Sequence, residues 1–500
     1  MYFLGYDVGS SSIKACLYEP ETGKVVASAA SPQEELPMQS PRQGWAEQDP
    51  QLWWNHIQKA TADLLEGAAP PVTDKIAGIG IAYQMHGLVM VDRRQQALHP
   101  AIIWCDGRAV DIGKEAFKTL GEEYCQQHYL NSPGNFTASK LRWIQQNKPE
   151  VYEKLHKIML PGDYIAMKLT GRISTSLSGL SEGIFWDYKK GNIAKDLLDC
   201  YEISAELLPD YHPNFSVSGE LTKNAAHQLG LNPGIPIGYR AGDQPNNALS
   251  LNVMQPGEVA ANAGTSGVIY GVTDKPRYDE KSRVNTFLHV NHQEKKPHYG
   301  VLLCVNGTGI QNYWLKSHLF GNEHSYDNMN RQAGKIPIGS DGLCVFPFGN
   351  GPERVLQHQQ VGAQIRNIRF NQHSQAHVMR AGQEGICFSL NYGLNVMKGM
   401  GMEVNTIRVG SDNMFQSPVF REAFVNVTGT AVEVLDTNGA LGAAIGAAIG
   451  MDHFRSREEA FKNIDKIRTL HPEPVKQKAY RRAYERWEAT LQRELSSIDS

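Results

Sequence analysis

Residues 3–14 read FLGYDVGSSSIK, and residues 257–268 read GEVAANAGTSGV. Each stretch is an apolar run typical of a β-strand that breaks at a glycine followed by serine or threonine and then resumes. A Gly-hydroxyl turn between two strands directs backbone N–H groups and hydroxyls toward one point, as in a hairpin that holds a phosphate. One such turn is a weak signal. Two of them, about 250 residues apart, predict a duplicated fold that grips a polyphosphate between its halves.

The length of the chain also favours two halves. A chain of 500 residues is too long for one hydrophobic core, so two domains of about 250 residues are expected. We place the boundary after the strand that ends at Gly242, which gives an N-terminal domain of residues 1–245 and a C-terminal domain of residues 246–500.

The composition excludes several classes of protein. With 41% hydrophobic and 20% charged residues and a net charge of −3, the chain offers no electrostatic case for binding nucleic acid or an anionic membrane. Its seven cysteines are scattered without a CxxC pair, which argues against a disulfide framework or a zinc site. No basic segment precedes an apolar core near residue 1, and the apolar run at 440–450 is too short to span a bilayer. These features predict a cytoplasmic protein.

Hydrophobic spacing predicts an α/β protein. Strands are expected at residues 2–8, 13–18, 25–30, 76–83, 101–104, 237–242, 258–272 (a hairpin), 299–305 and 406–409. Helices are expected from residue 50, over most of 135–170, at 309–314 and 378–400, from residue 440, and as an amphipathic helix through 480–495.

The first turn carries candidate phosphate and metal contacts. Asp7 lies where the first strand enters the turn, so it is either a Mg²⁺ partner beside a bound phosphate or a cap of its own turn. Within the turn, Gly9, Ser11 and Ser12 are candidate phosphate contacts. Lys14 follows on the outgoing strand, where it either contacts phosphate or is a solvated edge residue.

Asp243 is the candidate catalytic base. It ends a strand between Gly242 and Gln244, and catalytic side chains collect at strand ends in α/β sheets. An ordinary pKa of about 4 would keep Asp243 ionised, and phosphoryl transfer needs only a positioned acceptor for the proton of the attacking hydroxyl. The alternative is an Asx-turn.

Two further strand ends carry candidate sugar contacts. His86 could hydrogen-bond a sugar hydroxyl while Met85 packs on the carbon face, although a histidine in this place is often structural. Trp104 is either a core residue, which we favour slightly, or a surface that stacks on the sugar. Asp106 and Arg108 either form an internal salt bridge or contact the ligand.

Read in order, these motifs resemble a known family. No GxxxxGK[ST] loop and no protein-kinase motif set occurs, so a nucleotide site must be of another type. Over nearly its whole length the chain resembles the FGGY carbohydrate kinases, and its QMHG segment looks most like the xylulokinase branch of that family. The segments that carry the resemblance are 7–12 (DVGSSS), 45–50 (WAEQDP), 84–87 (QMHG), 104–108 (WCDGR), 242–244 (GDQ), 264–267 (GTSG) and 439–444 (GALGAA).

The resemblance implies a fold and an activity. The fold would be the two-domain actin/Hsp70/hexokinase-like (ribonuclease H-like) fold with a central cleft, in which the sugar binds the N-terminal domain and ATP mainly the C-terminal one. The activity would be Mg²⁺- and ATP-dependent phosphorylation of a ketopentose, D-xylulose in the first place, with Asp243 as general base. Met85, His86 and Gln244 would contact the ketose, with Trp104 nearby. The expected partners are the sugar and ATP, and a homodimer is a further expectation.

The resemblance also supplies nucleotide contacts and three departures from the family pattern. The implied contacts are Gly264, Thr265, Gly307, Gln311, Gly410, Ser411 and Asn413. Where family members often carry consecutive glycines against adenosine, this chain has GSDN at 410–413, and the Gly-Glu-Arg-x-Pro segment appears as GPERV at 351–355. Asn commonly follows the base in xylulokinases, whereas Gln244 is also seen in glycerol kinases, which keeps ribulose, glycerol or a related acceptor as alternatives.

Two other classes remain as alternatives. A sugar-binding regulator that has lost catalysis would not need Asp7, Asp243 and both Gly-hydroxyl turns. An actin-like filament protein or an Hsp70-like ATPase would have no use for the pairing of Met85 and His86 with Asp243.

Overall fold

The computed structural model describes residues 1–68, 72–321, 324–351 and 353–498. The chain folds into two compact units. Unit 1 comprises Met1–Asn252, Phe287–Tyr299 and Thr437–Ile464, and unit 2 comprises Val253–Thr286, Gly300–Asp436 and Asp465–Ser500.

The described strands are, in chain order, β1 Tyr2–Val8, β2 Ile13–Glu19, β3 Lys24–Ser31, β4 Glu47–Gln48, β5 Ile76–Tyr83, β6 Val89–Val91, β7 Ala101–Ile102, β8 Lys157–Met159, β9 Ser174–Ser176, β10 Trp186–Asp187, β11 Asn192–Ile193, β12 Asp210–His212, β13 Ile237–Gly242, β14 Glu258–Ala263, β15 Gly267–Thr273, β16 Asn285–Leu288, β17 Tyr299–Val305, β18 Cys344–Phe348, β19 Gly362–Arg366, β20 Thr406–Gly410, β21 Val432–Leu435 and β22 Lys466–Leu470.

The described α-helices are α1 Pro50–Gly67, α2 Val110–Leu120, α3 Glu122–Tyr129, α4 Thr137–Asn147, α5 Pro149–Tyr152, α6 Pro161–Thr170, α7 Leu177–Glu182, α8 Lys195–Cys200, α9 Lys223–Leu229, α10 Asp243–Ser250, α11 Gly309–Leu315, α12 Tyr326–Ala333, α13 Gln375–Gly399, α14 Pro418–Thr428, α15 Gly439–Gly450, α16 Arg457–Phe461 and α17 Pro474–Ile498.

Unit 1 is built on a five-stranded sheet in the order β13-β5-β1-β2-β3. The predicted hairpin β1–β2 is antiparallel and continues into antiparallel β3, whereas β5 and β13 run parallel to β1. The carboxyl ends of β1, β5 and β13 therefore lie along one edge of the sheet. These ends carry Asp7, Met85 with His86, and Asp243.

Two helices cover this sheet. α1 begins at Pro50, where the carboxylate of Asp49 accepts a hydrogen bond from the N–H of Gln51 (2.9 Å), and it buries Trp53 in the core of the unit. α15 packs against β1, β5 and β13. Its backbone comes so close that a side chain on Gly5 of β1 or on Gly80 of β5 would overlap helix carbonyl groups, which explains why small residues dominate this contact.

Unit 2 repeats the arrangement. Its seven-stranded sheet has the order β16-β17-β15-β14-β20-β21-β22, with β14–β15 as the antiparallel hairpin and β20 and β21 added in parallel. The core lies between this sheet and the helices α13, α14 and α17, and Trp487 of α17 donates from its ring nitrogen to the carbonyl oxygen of Val345 (2.9 Å). The duplication expected from the two turns is confirmed in the sheets.

One local prediction was wrong. The expected strand at 101–104 is only Ala101–Ile102, since the chain turns before Trp104. The stretch at 135–170 is mostly helical, as expected, and comprises α4, α5 and α6. The strand β8 lies between α5 and α6, pairs with β6 and is too short to show a period of its own.

Candidate active site

The first Gly-hydroxyl turn joins β1 to β2. The N–H of Gly9 donates to the carbonyl oxygen of Ser12 (3.1 Å), which closes the turn. The carbonyl oxygen of Ser10 accepts from the side-chain amide of Gln48 (2.7 Å), which supports the backbone from the side of β4. Ser11 is exposed and Ser12 is half-buried. The turn therefore offers hydroxyls to a ligand on a fixed backbone.

Asp7 faces two positive groups. It stands opposite Lys14 across the hairpin, and a side chain on Gly439 would collide with its carboxylate, so the carboxylate lies at the N-terminus of α15. Burial raises the pKa of Asp7, and the positive charge of Lys14 works against that rise. The positive end of the helix dipole also favours a negative charge here. Lys14 and the N-terminus of α15 therefore both favour the ionised form of Asp7, against the effect of burial.

Asp243 is the first residue of α10, directly after β13. Burial and, second, the negative charge of Asp7 raise the pKa of Asp243 to about 7, while the side-chain amide of Gln244 donates to its Oδ2 (3.2 Å) and lowers the pKa. The expectation of an ordinary pKa near 4 is therefore wrong for the protein without ligands. The sequence could not show this raised pKa, because Asp7 and Asp243 are distant in the chain.

The Asp7–Asp243 pair fits a hard divalent cation. Two carboxylates that repel each other supply the oxygen ligands and the negative charge that Mg²⁺ prefers. Across the described ranges, no group of three or more His, Cys, Asp or Glu side chains could hold a metal ion by itself. That composition suits Mg²⁺, which keeps several waters and takes substrate phosphates as further ligands.

Met85 lies against the backbone just before the candidate base. It is buried (5% exposed), and a side chain on Gly242 would come within 2.5 Å of its Cγ. The glycine therefore lets Met85 pack directly on the end of β13. The predicted carbon-face contact and the candidate base, Asp243, are neighbours in unit 1.

His86 is half-buried and has a left-handed backbone with φ of 60°. Its ring packs edge-on against Phe136, with ring centres 4.9 Å apart, and is tilted against Phe287 at 5.3 Å. Its Nδ1 lies 3.1 Å from the carbonyl oxygen of Glu182. Because a carbonyl only accepts, Nδ1 carries the hydrogen.

Sequence reasoning missed two buried charged residues around His86. Glu182, at the end of α7, is 1% exposed and accepts from the N–H of His86 (3.2 Å) and the hydroxyl of Tyr83 (3.3 Å). Lys140, in α4, is 0% exposed and its Nζ donates to the carbonyl oxygens of His86 and Ile103, both at 2.9 Å. Neither residue stands in a motif, and the only available signal was a charged residue within a largely buried helix.

Trp104 is not a core residue, so our preferred interpretation of it was wrong. Its side chain is 44% exposed, and its ring nitrogen donates to the hydroxyl of Ser10 (3.3 Å) in the first turn. The chain turns at the end of β7, which swings the indole out of the core. The alternative, a surface on which a sugar stacks, is compatible with this position.

Asp106 and Arg108 form the internal salt bridge that was one of the two expectations for them. Arg108 also pairs with Glu47 (2.7 Å) and stacks over the ring of Trp45 at 3.9 Å. The N–H of Ala46 donates to Asp106 (2.6 Å). These bonds fasten the loop at 104–108 to the loop at 45–50, so the pair stiffens the loop that carries Trp104.

The second Gly-hydroxyl turn lies in unit 2 between β14 and β15. The carbonyl oxygen of Gly264 accepts from the N–H of Gly309 (2.8 Å), and that of Thr265 accepts from Ile310 (3.2 Å). These bonds attach the N-terminus of α11 to the turn. Thr265 is exposed and Gly264 is half-buried, so the turn presents a hydroxyl next to a helix N-terminus.

The segment at 410–413 lies beside that turn. β20, which is parallel to β14, ends at Gly410, and a side chain on Gly264 would lie 3.7 Å from the amide nitrogen of Asn413. Ser411 is half-buried and Asn413 is exposed. The structure thus brings all three predicted nucleotide-contacting segments to the second turn, because Gly309 and Ile310 of the segment 307–311 also bond to it.

Gly307 and Gln311 are more enclosed. Gly307 is buried beneath the carbonyl of Pro347, where a side chain would not fit, and the amide of Gln311 donates to the carbonyl oxygen of Gly382 in α13 (3.1 Å). Glu353, in the altered GPERV segment, accepts from the N–H of Asn306 (2.9 Å), and burial raises its pKa to about 7. Pro352 lies outside the described residues.

Family models decide the class of the protein. The N-terminal domain of the FGGY family of carbohydrate kinases matches residues 2–250, and its C-terminal domain matches residues 259–451. The chain belongs to the FGGY family of carbohydrate kinases. As FGGY kinases use ATP to phosphorylate small molecules, the reaction class and the phosphoryl donor expected from the motifs are confirmed.

Individual relatives of this FGGY kinase agree in length and fold. A curated xylulose kinase of Staphylococcus epidermidis is 29% identical over 97% of this chain and 95% of its own length. The crystal structure of a xylulose kinase from Rhodospirillum rubrum aligns with a TM-score of 0.87 at 26% identity, over 99% of this chain and 100% of that one. A gluconate kinase structure from Lactobacillus acidophilus aligns with a TM-score of 0.89 at 23% identity over 99% and 98%, which shows the fold alone.

The two-domain actin-like fold of FGGY kinases is therefore confirmed, as is the similarity to xylulose kinases. Among the helices of the described ranges, none is long and apolar enough to cross a membrane.

Proposed function

We propose that this FGGY kinase phosphorylates D-xylulose to D-xylulose 5-phosphate. The observation that supports the proposal is the contact of Met85, a predicted ketose contact, with Gly242, the residue that precedes Asp243. The curated relatives named xylulose kinase, at up to 29% identity over nearly the full chain, support the same acceptor.

Asp243 acts as the general base in this reaction. Its carboxylate accepts the proton of the terminal sugar hydroxyl while that oxygen forms a bond to the γ-phosphorus and the bond to the β-phosphate oxygen breaks. ADP is then the leaving group. Because the transition state is loose, the role of Asp243 is to position the hydroxyl and receive its proton. Gln244, whose amide donates to Asp243, orients the carboxylate and favours its charged form.

Asp7 is the proposed Mg²⁺ partner. When bound, Mg²⁺ would supply positive charge to the phosphates. Lys14, across the hairpin, contributes positive charge to the same region. Gly9, Ser11 and Ser12 are the proposed phosphate contacts of unit 1, and the exposed hydroxyl of Ser11 is open to a ligand.

The proposed nucleotide contacts of unit 2 are Gly264, Thr265, Gly307, Gln311, Gly410, Ser411 and Asn413. Thr265, Ser411 and Asn413 offer accessible polar side chains, whereas Gln311 is engaged with α13. Gly307 contributes close backbone packing. Thr265, Ser411 and Asn413 would therefore bind the nucleotide through polar contacts, whereas Gln311 and Gly307 would shape the site.

Another ketose or polyol as acceptor is the second candidate. Gln244, in a place where xylulokinases commonly have asparagine, favours it. The Met85–His86 pair favours a ketose over glycerol, since glycerol kinases place a charged pair there.

An assay of ADP release distinguishes these candidates. Wild-type enzyme is measured with D-xylulose, D-ribulose, glycerol and gluconate, each against a reaction without acceptor. We expect the highest kcat/KM for D-xylulose. A higher value for another acceptor would transfer the proposal to that compound, and no stimulation by any of them would contradict it.

A further inference from the structure

His86 needs support to keep its conformation. With φ of 60° it lies in the left-handed region, which is sparsely populated for residues other than glycine. A residue stays there only where its surroundings over-determine it, and such residues concentrate at ligand-contacting positions.

Glu182 holds His86 from one side. Its carboxylate accepts the backbone N–H of His86 (3.2 Å), and its backbone carbonyl oxygen accepts from Nδ1 of the imidazole (3.1 Å). One residue thus fixes both the backbone and the ring plane.

Lys140 holds His86 from the other side. Its Nζ donates to the backbone carbonyl oxygen of His86 (2.9 Å) and also to that of Ile103 (2.9 Å). These two carbonyl groups belong to different loops, one after β5 and one after β7. A single ammonium group therefore joins the loop that carries His86 to the loop that carries Trp104.

An ammonium group is a costly choice for a purely structural bond. Lys140 is 0% exposed, and its two hydrogen-bond acceptors are neutral carbonyl groups. Burying a charge in this way costs free energy, which the two hydrogen bonds to neutral carbonyl groups offset only in part. Burial lowers the pKa of Lys140 to about 8, although the nearby Asp106 partly offsets it.

We infer that Lys140 and Glu182 are positioning residues that hold His86 in its left-handed conformation and so set the affinity for the sugar. The inference rests on the proposed function in that His86 contacts the acceptor. The two residues act through His86, not on the reacting atoms.

The first test compares two lysines with the same kind of bonding. Lys157 also donates from Nζ to two backbone carbonyl oxygens, those of Glu206 (2.7 Å) and Leu208 (2.8 Å), but it does not contact His86. We expect Lys140→Met to raise the KM for the sugar by about tenfold and to leave the KM for ATP within about twofold. Lys157→Met should change neither. Equal sugar KM values for folded Lys140→Met and wild type would overturn the inference.

A double-mutant cycle tests whether Lys140 acts through His86. Once His86→Ala has removed the ring, Lys140→Met should lower kcat/KM for the sugar by less than about twofold. A further loss as large as that in the wild-type background would mean that Lys140 acts elsewhere, and would contradict the inference.

If Lys140→Met does not fold, two variants of Glu182 test the inference without a change at Lys140. Glu182→Gln and Glu182→Leu both remove the carboxyl group, but only the glutamine keeps an oxygen that accepts the N–H of His86. We expect Glu182→Gln to retain a sugar KM within about threefold of wild type and Glu182→Leu to lose about tenfold. Equal KM values for the two folded variants would contradict the role of Glu182.

A crystal structure of Lys140→Met or Glu182→Leu separates this inference from the choice of acceptor. We expect residue 86 to leave the left-handed region or its ring to leave Phe136 and Phe287. An unchanged conformation of His86 would overturn the inference, even in an enzyme that prefers another acceptor. If His86 moves but wild-type enzyme phosphorylates none of the acceptors, Lys140 and Glu182 do position His86 and the proposed function fails.

Discussion

Asp243 is coupled to Asp7: burial and, second, the negative charge of Asp7 raise the pKa of Asp243 to about 7. The two carboxyl groups lie at the ends of different strands of one sheet. Lys14 and the N-terminus of α15 offset the charge on Asp7, whereas Asp243 stands at the N-terminus of α10 and accepts from the amide of Gln244. Without a ligand, Asp243 therefore binds a proton near neutral pH. A cation bound by the proposed Mg²⁺ partner Asp7 would therefore lower the pKa of Asp243.

The first prediction concerns the pH dependence of catalysis. A general base must be ionised, so kcat/KM should fall as the pH drops through about 7, since kcat/KM reports the free enzyme. Bound Mg²⁺ offsets the charge of Asp7, so the acid limb of kcat should lie at lower pH. Steady-state rates between pH 5.5 and 9 check both limbs. A flat kcat/KM between pH 6 and 8 would contradict the raised pKa.

The second prediction concerns stability. The pKa of Asp243 in the folded protein lies above the unfolded value near 3.9, so ionisation of Asp243 lowers the free energy of unfolding. This loss of stability is complete above about pH 7 and absent below about pH 4. Asp243→Asn should therefore melt at a higher temperature than wild type at pH 8. The gain should be on the order of 1–3 kcal/mol, less than the full pKa shift implies, because the residue as a whole is half-buried. The difference should shrink toward pH 5. A variant that is less stable than wild type at pH 8 would contradict this.

The third prediction concerns the metal. Asp7→Asn should lower turnover more at low Mg²⁺ than at high Mg²⁺, because an amide holds the hydrated ion less well and mass action partly restores occupancy. Titration of Mg²⁺ at saturating sugar measures the effect, with thermal melting to establish that the variant is folded. If added Mg²⁺ rescues none of the lost activity of the folded variant, Asp7 serves its turn and not the metal.

Much of the fold could be predicted from local pattern. The hairpins β1–β2 and β14–β15 carry their own turn residues, and the long helices carry their own period. The short strand β8 carries no such signal. The assignment of Thr437–Ile464 to unit 1 depends on backbone contacts between α15 and the sheet of that unit, to which small residues give only a general hint.

The candidate site was predictable where a residue follows a strand. Asp7, Met85, His86 and Asp243 were found because strand ends are recognisable in sequence. The residues that support His86 were not predictable, because Lys140 and Glu182 lie in helices 54 and 96 positions further along the chain. Nor was the pKa of Asp243, which depends on a carboxylate in another strand. Position in the chain predicts candidates, whereas their electrostatics depend on tertiary neighbours.

The fourth prediction separates recognition from structure at Met85 and His86. His86→Ala should lower kcat/KM for D-xylulose by about 1–3 kcal/mol in transition-state binding, the usual effect of losing a buried polar contact. Met85→Ala should cost less, since it removes packing alone. Slow ATP hydrolysis without sugar should survive in both. Loss of thermal stability with unchanged kinetics in the folded fraction would return His86 to a structural role.

The most direct test of the account is the turnover of Asp243→Ala with D-xylulose and ATP. Removing the group that positions the hydroxyl and receives its proton should lower kcat by about 10²–10⁴-fold. ATP binding, measured by calorimetry on the same preparation, should persist. The account predicts this loss with ATP still bound; an Asp243→Ala enzyme that phosphorylates D-xylulose within a few-fold of the wild-type rate would contradict it.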